Sequence, residues 1–318
     1  MVVEGFLRLP LPTLLPIGAV NCYILRGDST AMIDTGPKNE YTLEFLRNEL
    51  KQRDMDISSI DKILITHGHV DHFGLARQVS EASDAEILVH MGDENLVKNF
   101  KGTFVERKEQ FQEEMKRCGV PARTVDLVED FFDFLSRMAD STNISGYLED
   151  GQEIDAGDST LEVVHTPGHS AGSVSFLSSD GFLFSGDTLA RDYTPSIICA
   201  GTETLSAGLD EYLKSLEKLK GIDAKEVHPG HGGPFSDKNE AIDECLETMR
   251  TREARIIQSL QIESATPFDL MTRVFGPLPI HEIFPGLSET LGFLDKLLDE
   301  RIVEETLEDD ERKFSLIS

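Results

Sequence analysis

The stretch "THGHVDH", residues 66–72, places four side chains that can bind a metal within six positions. They are His67, His69, Asp71 and His72. Imidazole nitrogens combined with carboxylate oxygens are ligands for zinc, iron or manganese. The stretch follows the apolar run "KILIT", which predicts a short buried strand that ends at these residues. A loop at the end of a strand lets all four side chains converge, so the stretch indicates a metal site.

Later motifs along the chain add more ligands of the same two kinds, and glycines flank most of them. They are "HTPGHS" (165–170) with His165 and His169, "SGDT" (185–188) with Asp187, and "HPGHGG" (228–233) with His228 and His231. So many ligands exceed the needs of one tetrahedral ion, and they suit two ions that share a carboxylate and a hydroxide. Such a pair brings the pKa of a shared water from about 16 to near neutrality, which predicts hydrolysis of an ester, thioester, amide or phosphoester.

The order of these motifs, preceded by "MIDTG" at 32–36, resembles the metallo-β-lactamase superfamily over roughly residues 15–235. The resemblance implies an α/β (α+β) fold, a four-layer αββα sandwich with the site along one edge of its two sheets. It also implies a ligand set in which Asp187 bridges two metals. His67, His69 and His169 would bind the first metal, and Asp71, His72 and His231 would bind the second.

Particular roles follow from the same resemblance. Asp71 and Asp187 would be the catalytic carboxylates, which hold the hydroxide and accept its proton. His69 stands where redox di-iron relatives generally carry a carboxylate, which favours hydrolysis. Asp34 has two readings of equal weight: it orients a ligand histidine, or it holds backbone N–H groups in a turn. His165 and His228 are left as core or supporting residues.

The segments that must position these ligands are strands and helices without a regular alternation, which disfavours a doubly wound sheet. Strands are predicted at 21–28, 31–37, 62–66, 85–90, 160–166, 173–178 and 181–187, with a strand and loop at 226–233, and helices at 39–53, 73–82, 208–219 and 236–260.

Two segments depart from this pattern. Residues 95–142 contain two helical patterns split at "GVP", and they predict a packed helical insertion that can also form a lid or an apolar wall over the site. Residues 248–318 follow the order helix, helix, hairpin, which is typical of a winged helix. We therefore predict a catalytic domain over 1–247 and a winged-helix-like domain over 248–318. In this respect the chain also resembles the beta-lactamase-like protein 2 branch of the superfamily, in which winged-helix extensions occur.

The net charge, the apolar runs and the cysteine spacing limit the partners and the compartment that can be expected. The net charge of −28 repels polyanions and disfavours nucleic acid. No apolar run is long enough to cross a bilayer, and the N-terminus does not read as a signal peptide, so we expect a cytoplasmic protein without a membrane partner. Cys22, Cys118, Cys199 and Cys245 show no paired spacing, which favours a reducing compartment.

Three functions remain open at this point. The first is hydrolysis of a small thioester or ester, with the apolar N-terminal loop "LPLPTLLPIG" and the phenylalanine-rich insertion as pocket walls. The second is an endoribonuclease or phosphodiesterase, and the third is a non-enzymatic metal-binding protein, which would be expected to lack part of the ligand set. A narrow apolar tunnel under 95–142 would favour the first, whereas an open basic groove would favour the second.

The charge of the C-terminal segment bears on the second function. From Thr248 to Ser318 there are 8 Lys and Arg residues against 14 Asp and Glu residues. A helix that reads nucleic acid is usually basic, so this segment is expected to pack against the protein or to form a homodimer. Arg191 and Tyr193 lie near Asp187 in the sequence; Arg191 is interpreted as a loop arginine in preference to a substrate contact, and Tyr193 is left open.

Overall fold

Two β-sheets form the centre of the protein, seen here in a computed structural model that describes residues 2–3, 5–195, 197 and 208–317. Over those residues the first sheet contains β1 (Val2–Val3), β2 (Phe6–Leu11), β3 (Val20–Leu25), β4 (Ala31–Ile33), β5 (Lys62–Leu64), β6 (Glu86–His90) and β7 (Gly146–Leu148). These strands lie in sequential order across the sheet. Pairing is antiparallel from β1 to β4 and parallel from β4 to β7.

The second sheet is built from the later strands. It contains β8 (Glu153–Ala156), β9 (Ser159–His165), β10 (Val174–Ser178), β11 (Phe182–Gly186) and β12 (Glu226–Pro229). Its order is β12-β11-β10-β9-β8, with β11 and β12 parallel and the other pairs antiparallel. Strands β9, β11 and β12 therefore share a direction, and their carboxyl ends meet at one edge of the sheet.

The two sheets pack face to face through alternate side chains of their strands. Phe6 and Tyr23 of the first sheet contact Phe184 of the second, with ring centroids 5.0 and 4.9 Å apart. Leu7 and Leu9, which alternate with Phe6 along β2, point to the opposite face of the first sheet and pack against helices. This alternation buries both faces of the first sheet.

Helices cover the outer face of each sheet. The early helices are α1 (Glu40–Lys51), α2 (Val70–Phe73), α3 (Ala76–Ser83), α4 (Glu94–Lys98), α5 (Phe100–Arg117) and α6 (Ala122–Leu135). The later ones are α7 (Leu209–Lys220), α8 (Lys238–Leu260), α9 (Pro267–Phe275) and α10 (Ile280–Asp299). Leu46 and Leu50 of α1 join the core of the first sheet, and Leu216 of α7 joins that of the second. The αββα sandwich expected from the sequence is confirmed.

The C-terminal segment ends in a hairpin, β13 (Val303–Glu308) and β14 (Glu311–Leu316). Its helices share one hydrophobic core with the insertion and with the second sheet. Leu287 and Leu291 of α10 belong to the same buried cluster as Val128 of α6 and Leu183 of β11. The ring of Phe111 lies 4.8 Å from that of Phe284. The insertion and the C-terminal segment are therefore packed together over the second sheet.

The helices and the cysteines bear on the expectations about membranes and disulfides. None of the helices in the described ranges is both long and apolar enough to cross a bilayer. Cys22, Cys118 and Cys245 are buried thiols in separate elements, and Cys199 lies outside the described residues.

Candidate metal centre

All seven ligands expected from the sequence lie at the carboxyl ends of strands, on one edge of the sandwich. His67 and His69 occupy the loop after β5, and the next residues begin α2, which carries Asp71 and His72. His169 lies in the turn between β9 and β10, Asp187 follows β11, and His231 follows β12. Six of the seven are buried, and His69 is half-buried. The fold thus brings together residues separated by up to 164 positions.

Three histidines form the first cluster, defined as His67, His69 and His169. His67 Nε2 lies 2.9 Å from His69 Nδ1 and 3.2 Å from His169 Nε2. His69 Nδ1 and His169 Nε2 are also 2.9 Å apart. Three ring nitrogens at this spacing cannot all carry protons toward one another, and a single cation between them would accept a lone pair from each.

Asp71, His72 and His231 form the second cluster. The His231 Nε2 atom lies 3.2 Å from Asp71 Oδ2, and His72 Nε2 lies 3.9 Å from the same oxygen. Asp187 lies between the clusters: its Oδ2 is 3.4 Å from His72 Nε2, 3.6 Å from His231 Nε2 and 3.7 Å from His169 Nε2. The carboxylate of Asp187 is therefore placed to serve both clusters.

Hydrogen bonds behind the histidines decide which nitrogen of each ring faces the site. His231 Nδ1 donates to the carbonyl of Ala19 at 2.9 Å, so its Nε2 carries the lone pair. Thr66 gives its only hydroxyl proton to Asp34 at 2.7 Å, so its oxygen accepts from His67 Nδ1 at 3.0 Å. His67 and His231 thus turn their Nε2 atoms toward the site.

Polar atoms without partners complete the test of whether these residues fit metal ions. In the described part of the chain, His72 Nε2, His231 Nε2 and Asp187 Oδ1 are buried without a hydrogen bond. A buried polar atom left unpaired costs about 1–3 kcal/mol, so three at one point indicate a missing ligand. Nitrogen and carboxylate donors in these proportions fit divalent zinc, iron or manganese.

The pKa values of these side chains are shifted from their usual values. Burial, together with neighbouring imidazoles, lowers the pKa of His69 to about 3. Burial alone would raise the pKa of Asp71, but His72 and His231 outweigh it and hold that pKa at about 2. Burial also holds the pKa of His67 well below its usual value. His67 and His69 are thus neutral and Asp71 is ionised, which is the protonation state that cation binding requires.

Asp34 forms hydrogen bonds with His72 and with Thr66, next to the two clusters. Its Oδ2 lies 2.7 Å from His72 Nδ1 and accepts the Thr66 hydroxyl, and its Oδ1 accepts the Thr66 backbone N–H at 2.8 Å. Asp34 itself has a φ of 55°. The carboxylate of Asp34 thus contacts both the imidazole of the candidate ligand His72 and the backbone N–H of Thr66.

A family model described as "Metallo-beta-lactamase superfamily" matches residues 15–231, which is most of the chain and includes all seven ligands. The protein belongs to the metallo-beta-lactamase superfamily. Most members of that superfamily are metal-dependent hydrolases, and the buried histidine and aspartate clusters of this chain agree with that class.

Individual members of the superfamily resemble this chain over nearly its full length. The "Probable metallo-hydrolase YqjP" of Bacillus subtilis is 26% identical over 310 residues, 95% of each chain. A "Beta-lactamase-like protein 2 homolog" of Caenorhabditis elegans is 29% identical over 289 residues, 89% of this chain and 80% of the relative. The crystal structure of a metallo-beta-lactamase family protein from Thermus thermophilus shares the fold, with a TM-score of 0.83 and 24% identity over 99% of each chain.

Asp93 is a further candidate residue beside the two clusters, and the sequence did not indicate it. Asp93 is fully buried and accepts hydrogen bonds from the backbone N–H of Gly68 at 2.7 Å and of Gly172 at 2.8 Å. It also accepts from the Ser170 hydroxyl at 2.6 Å. Asp93 therefore ties the loop of His67 and His69 to the turn of His169. The residue types around Asp93 do not indicate this role, because two of its three partners are backbone N–H groups.

The Asp93→Asn variant is expected to bind metal about 10–100-fold more weakly at the three-histidine cluster. The amide can offer only one oxygen, and its NH₂ group meets N–H donors where the carboxylate accepted them. A zinc titration against a competing chelator measures the change. Asp84→Asn is the matched control, because Asp84 is exposed at the end of α3. Unchanged affinity in Asp93→Asn would show that the loops hold their positions without this carboxylate.

A cavity of about 640 Å³ opens from the metal centre of this superfamily fold. Its wall begins at His69, Asp71, His169 and Asp187. Beyond them it is lined by side chains from three distant parts of the chain, most of them apolar. These are Leu15, Pro16 and Ile17; Leu96, Phe100, Phe104, Phe111, Phe131, Phe132 and Leu135; and Phe275, Leu278, Phe284 and Pro285. The insertion and the N-terminal loop are therefore walls of the cavity, as the sequence suggested.

The remaining candidates take other positions. Arg191 forms ion pairs with acidic residues of α8 and the residue before it, Asp237, Glu240 and Glu244, which matches its interpretation as a loop arginine. Tyr193 lines the cavity. The ring of His165 stacks on that of His90 at 3.9 Å, and His228 packs among aromatic rings between the sheets, so neither joins the two clusters.

Proposed function

We propose that this chain is a dinuclear metal-dependent hydrolase that cleaves a small ester or thioester with a largely apolar acyl group. The observation that carries the proposal is the continuity between the two clusters and the phenylalanine-lined cavity. A site of a few hundred Å³ with apolar walls and a few convergent polar groups is typical of small-molecule recognition. We take zinc as the first choice of metal, with iron and manganese as alternatives.

We assign each of the seven side chains a part in binding the metal ions or in accepting a proton. His67, His69 and His169 would hold one ion, and Asp71, His72 and His231 the other, with Asp187 shared. Ions held there supply a water of lowered pKa and polarise the substrate carbonyl. Asp71 and Asp187 are both ionised, so they would orient that water and accept its proton.

Tyr193 supplies a donor at the same place. Its hydroxyl is buried and makes no hydrogen bond in the described part of the chain, and its ring lies 6.5 Å from that of His231. Burial, reinforced by the nearby Asp187 and Asp71, raises the pKa of this phenol, so it stays protonated. We propose that it donates to the oxygen that gains negative charge in the reaction.

The Tyr193→Phe variant is expected to lower kcat by about 10²-fold with little change in KM, because a donor to a developing oxyanion contributes mainly in the transition state. Steady-state kinetics on the best substrate measure both constants. Metal content serves as the control and should equal that of the parent protein. A rise in KM with unchanged kcat would instead assign Tyr193 to ground-state binding.

The C-terminal segment supports a small substrate over nucleic acid. Its second helix, α10, is buried from Ile283 to Leu294, and one face of that helix lines the cavity. A buried helix cannot enter a groove of a duplex, and the acidic charge of the chain opposes phosphate binding. We propose that this winged-helix-like segment is a wall of the substrate cavity.

A hydrolase panel on the zinc-loaded protein tests the proposed function. Acyl thioesters, carboxylesters and lactones form one arm; phosphodiesters and single-stranded RNA form the other. We expect cleavage of thioesters or esters that is lost in Asp71→Ala, without cleavage of RNA. RNA cleavage that is abolished in Asp71→Ala would overturn the proposal and assign a nuclease.

A further inference from the structure

An ion pair interrupts the apolar wall of the cavity. Arg252 of α8 and Glu289 of α10 both line it, and the Arg252 Nη1 atom donates to Glu289 Oε1 at 2.7 Å. The side chain of Glu289 is 4% exposed and that of Arg252 is 21% exposed. The guanidinium also lies over the ring of Phe275, 4.8 Å from its centroid. This contact fixes the plane of the guanidinium.

Stability alone does not account for the pair. Removing two charges from water costs several kcal/mol for each ion, and well-packed apolar residues of similar volume are often at least as stabilising. Burial raises the pKa of Glu289, although the Arg252 guanidinium opposes that shift. The neighbours of Glu289 on α10, Leu287, Thr290 and Leu291, are buried without charge. Arg107, Lys108, His281 and Glu282 also line the largely apolar cavity, with Lys108 paired to Asp133 and His281 to Glu282. Glu289 is the charged lining residue of this group that is fully buried.

Arg252 can donate more hydrogen bonds than Glu289 accepts from it. A guanidinium has five N–H donors. Among the described residues, Arg252 donates a hydrogen bond to Glu289, which leaves donors for an acceptor inside the cavity. The charge of Arg252 is already balanced by Glu289. A second carboxylate there would leave the buried group with a net negative charge in a chain of net charge −28, whereas a neutral oxygen would not.

We propose that Arg252 recognises a neutral oxygen, a hydroxyl or ketone, on the acyl part of the substrate. The substrate class is then an oxygenated acyl ester or thioester, an inference that rests on the proposed function for the same cavity. Arg252 is a specificity-determining residue in this scheme, and Glu289 excludes acyl groups that end in a carboxylate.

Binding of product-like acids to the zinc-loaded protein tests the inference without a need for turnover. Calorimetry compares octanoic acid with 3-hydroxy-, 5-hydroxy- and 8-hydroxyoctanoic acid, since the position of the oxygen is part of the question. We expect at least one hydroxy acid to bind about tenfold more tightly than octanoic acid, as one hydrogen bond to a charged donor allows. Arg252→Met should remove that preference and leave the affinity for octanoic acid within about twofold.

A second variant keeps the test decisive if Arg252→Met fails to fold. Glu289→Gln removes the balancing charge, so we expect it to bind octanedioic acid at least about tenfold more tightly than the parent protein does. No preference for any hydroxy acid, or equal weakening of all four acids in Arg252→Met, would overturn the inference.

The two proposals fail in different ways. A hydroxy-acid preference that depends on Arg252, in a protein that cleaves none of the thioesters or esters, would keep the binding inference and overturn the proposed function. Thioester cleavage with equal affinity for all four acids would do the reverse.

Discussion

The Asp187→Ala variant is expected to lose about 10³-fold or more in kcat/KM and to retain at most one of two metal ions. Its Oδ2 lies within 3.7 Å of ring nitrogens from both clusters, namely those of His72, His231 and His169. Loss of one shared ligand therefore weakens both sites, and several kcal/mol of transition-state stabilisation correspond to a loss of this size. Elemental analysis after reconstitution measures the metal, and thioester hydrolysis measures the rate.

Asp180→Ala is the matched control for this substitution. Asp180 and Asp187 flank the same strand, β11, but Asp180 lies exposed in the turn at the opposite end. The control should keep both ions and an activity within about twofold of the parent. A fully metal-loaded and active Asp187→Ala protein would remove the shared carboxylate from the mechanism and leave two independent clusters.

The candidate ligands stand out in the sequence because they are marked twice. Each of the later ligands His169, Asp187 and His231 is a chemically distinctive residue beside glycine at the end of an apolar run. The carboxyl ends of strands that run in the same direction lie at one edge of a sheet, so residues at those ends meet even when they are far apart in the chain. The strands β5, β9, β11 and β12 could therefore be placed by their apolar patterns, and the resemblance to the superfamily selected the candidate ligands among the residues at their ends.

Asp93 stands beside Gly92 after the apolar run of β6, as Asp187 stands beside Gly186 after that of β11, but its partners explain why the sequence did not reveal its role. Its partners are the backbone N–H groups of Gly68 and Gly172 and the hydroxyl of Ser170. Backbone donors leave no trace in the residue types around them. Two loops must first be brought together by the packing of two sheets before one carboxylate can bridge them. Only the three-dimensional arrangement identifies such a residue.

The cavity could not be predicted from the apolar periodicity of the insertion. The apolar stripe of the insertion contains Val128, Phe131, Leu135 and Met138. Val128 packs in the core over the second sheet and Met138 in that of the first, while Phe131 and Leu135 line the cavity. Periodicity marks a face as apolar but does not say whether core or open space lies against it. The partners of this stripe from α10 lie about 150 positions away, beyond any local pattern.

The Gly230→Ala variant is expected to abolish metal binding at the second cluster and to lower activity about 10³-fold, although it adds one methyl group. A Cβ at this position would lie 2.3 Å from Asp187 Oδ1 and 2.8 Å from His72 Cε1. The backbone cannot move away easily, since Gly230 N–H donates to Gly186 O and its carbonyl accepts from Asn21 N–H. The overlap must therefore displace the ligand side chains themselves.

The same motif provides the control for this substitution. Gly233 lies three residues further along, where an added Cβ meets nothing within 4 Å. Gly233→Ala should therefore bind metal and hydrolyse substrate within about twofold of the parent protein. Thermal unfolding of both apo variants separates a local effect from a global one: a small difference in Tm with a large difference in metal affinity places the damage at the site. If Gly230→Ala bound both ions normally, the clusters would have to be more tolerant of displacement than the contacts of Asp187 and His72 allow, because a close-packed ligand shell has no room for an added carbon.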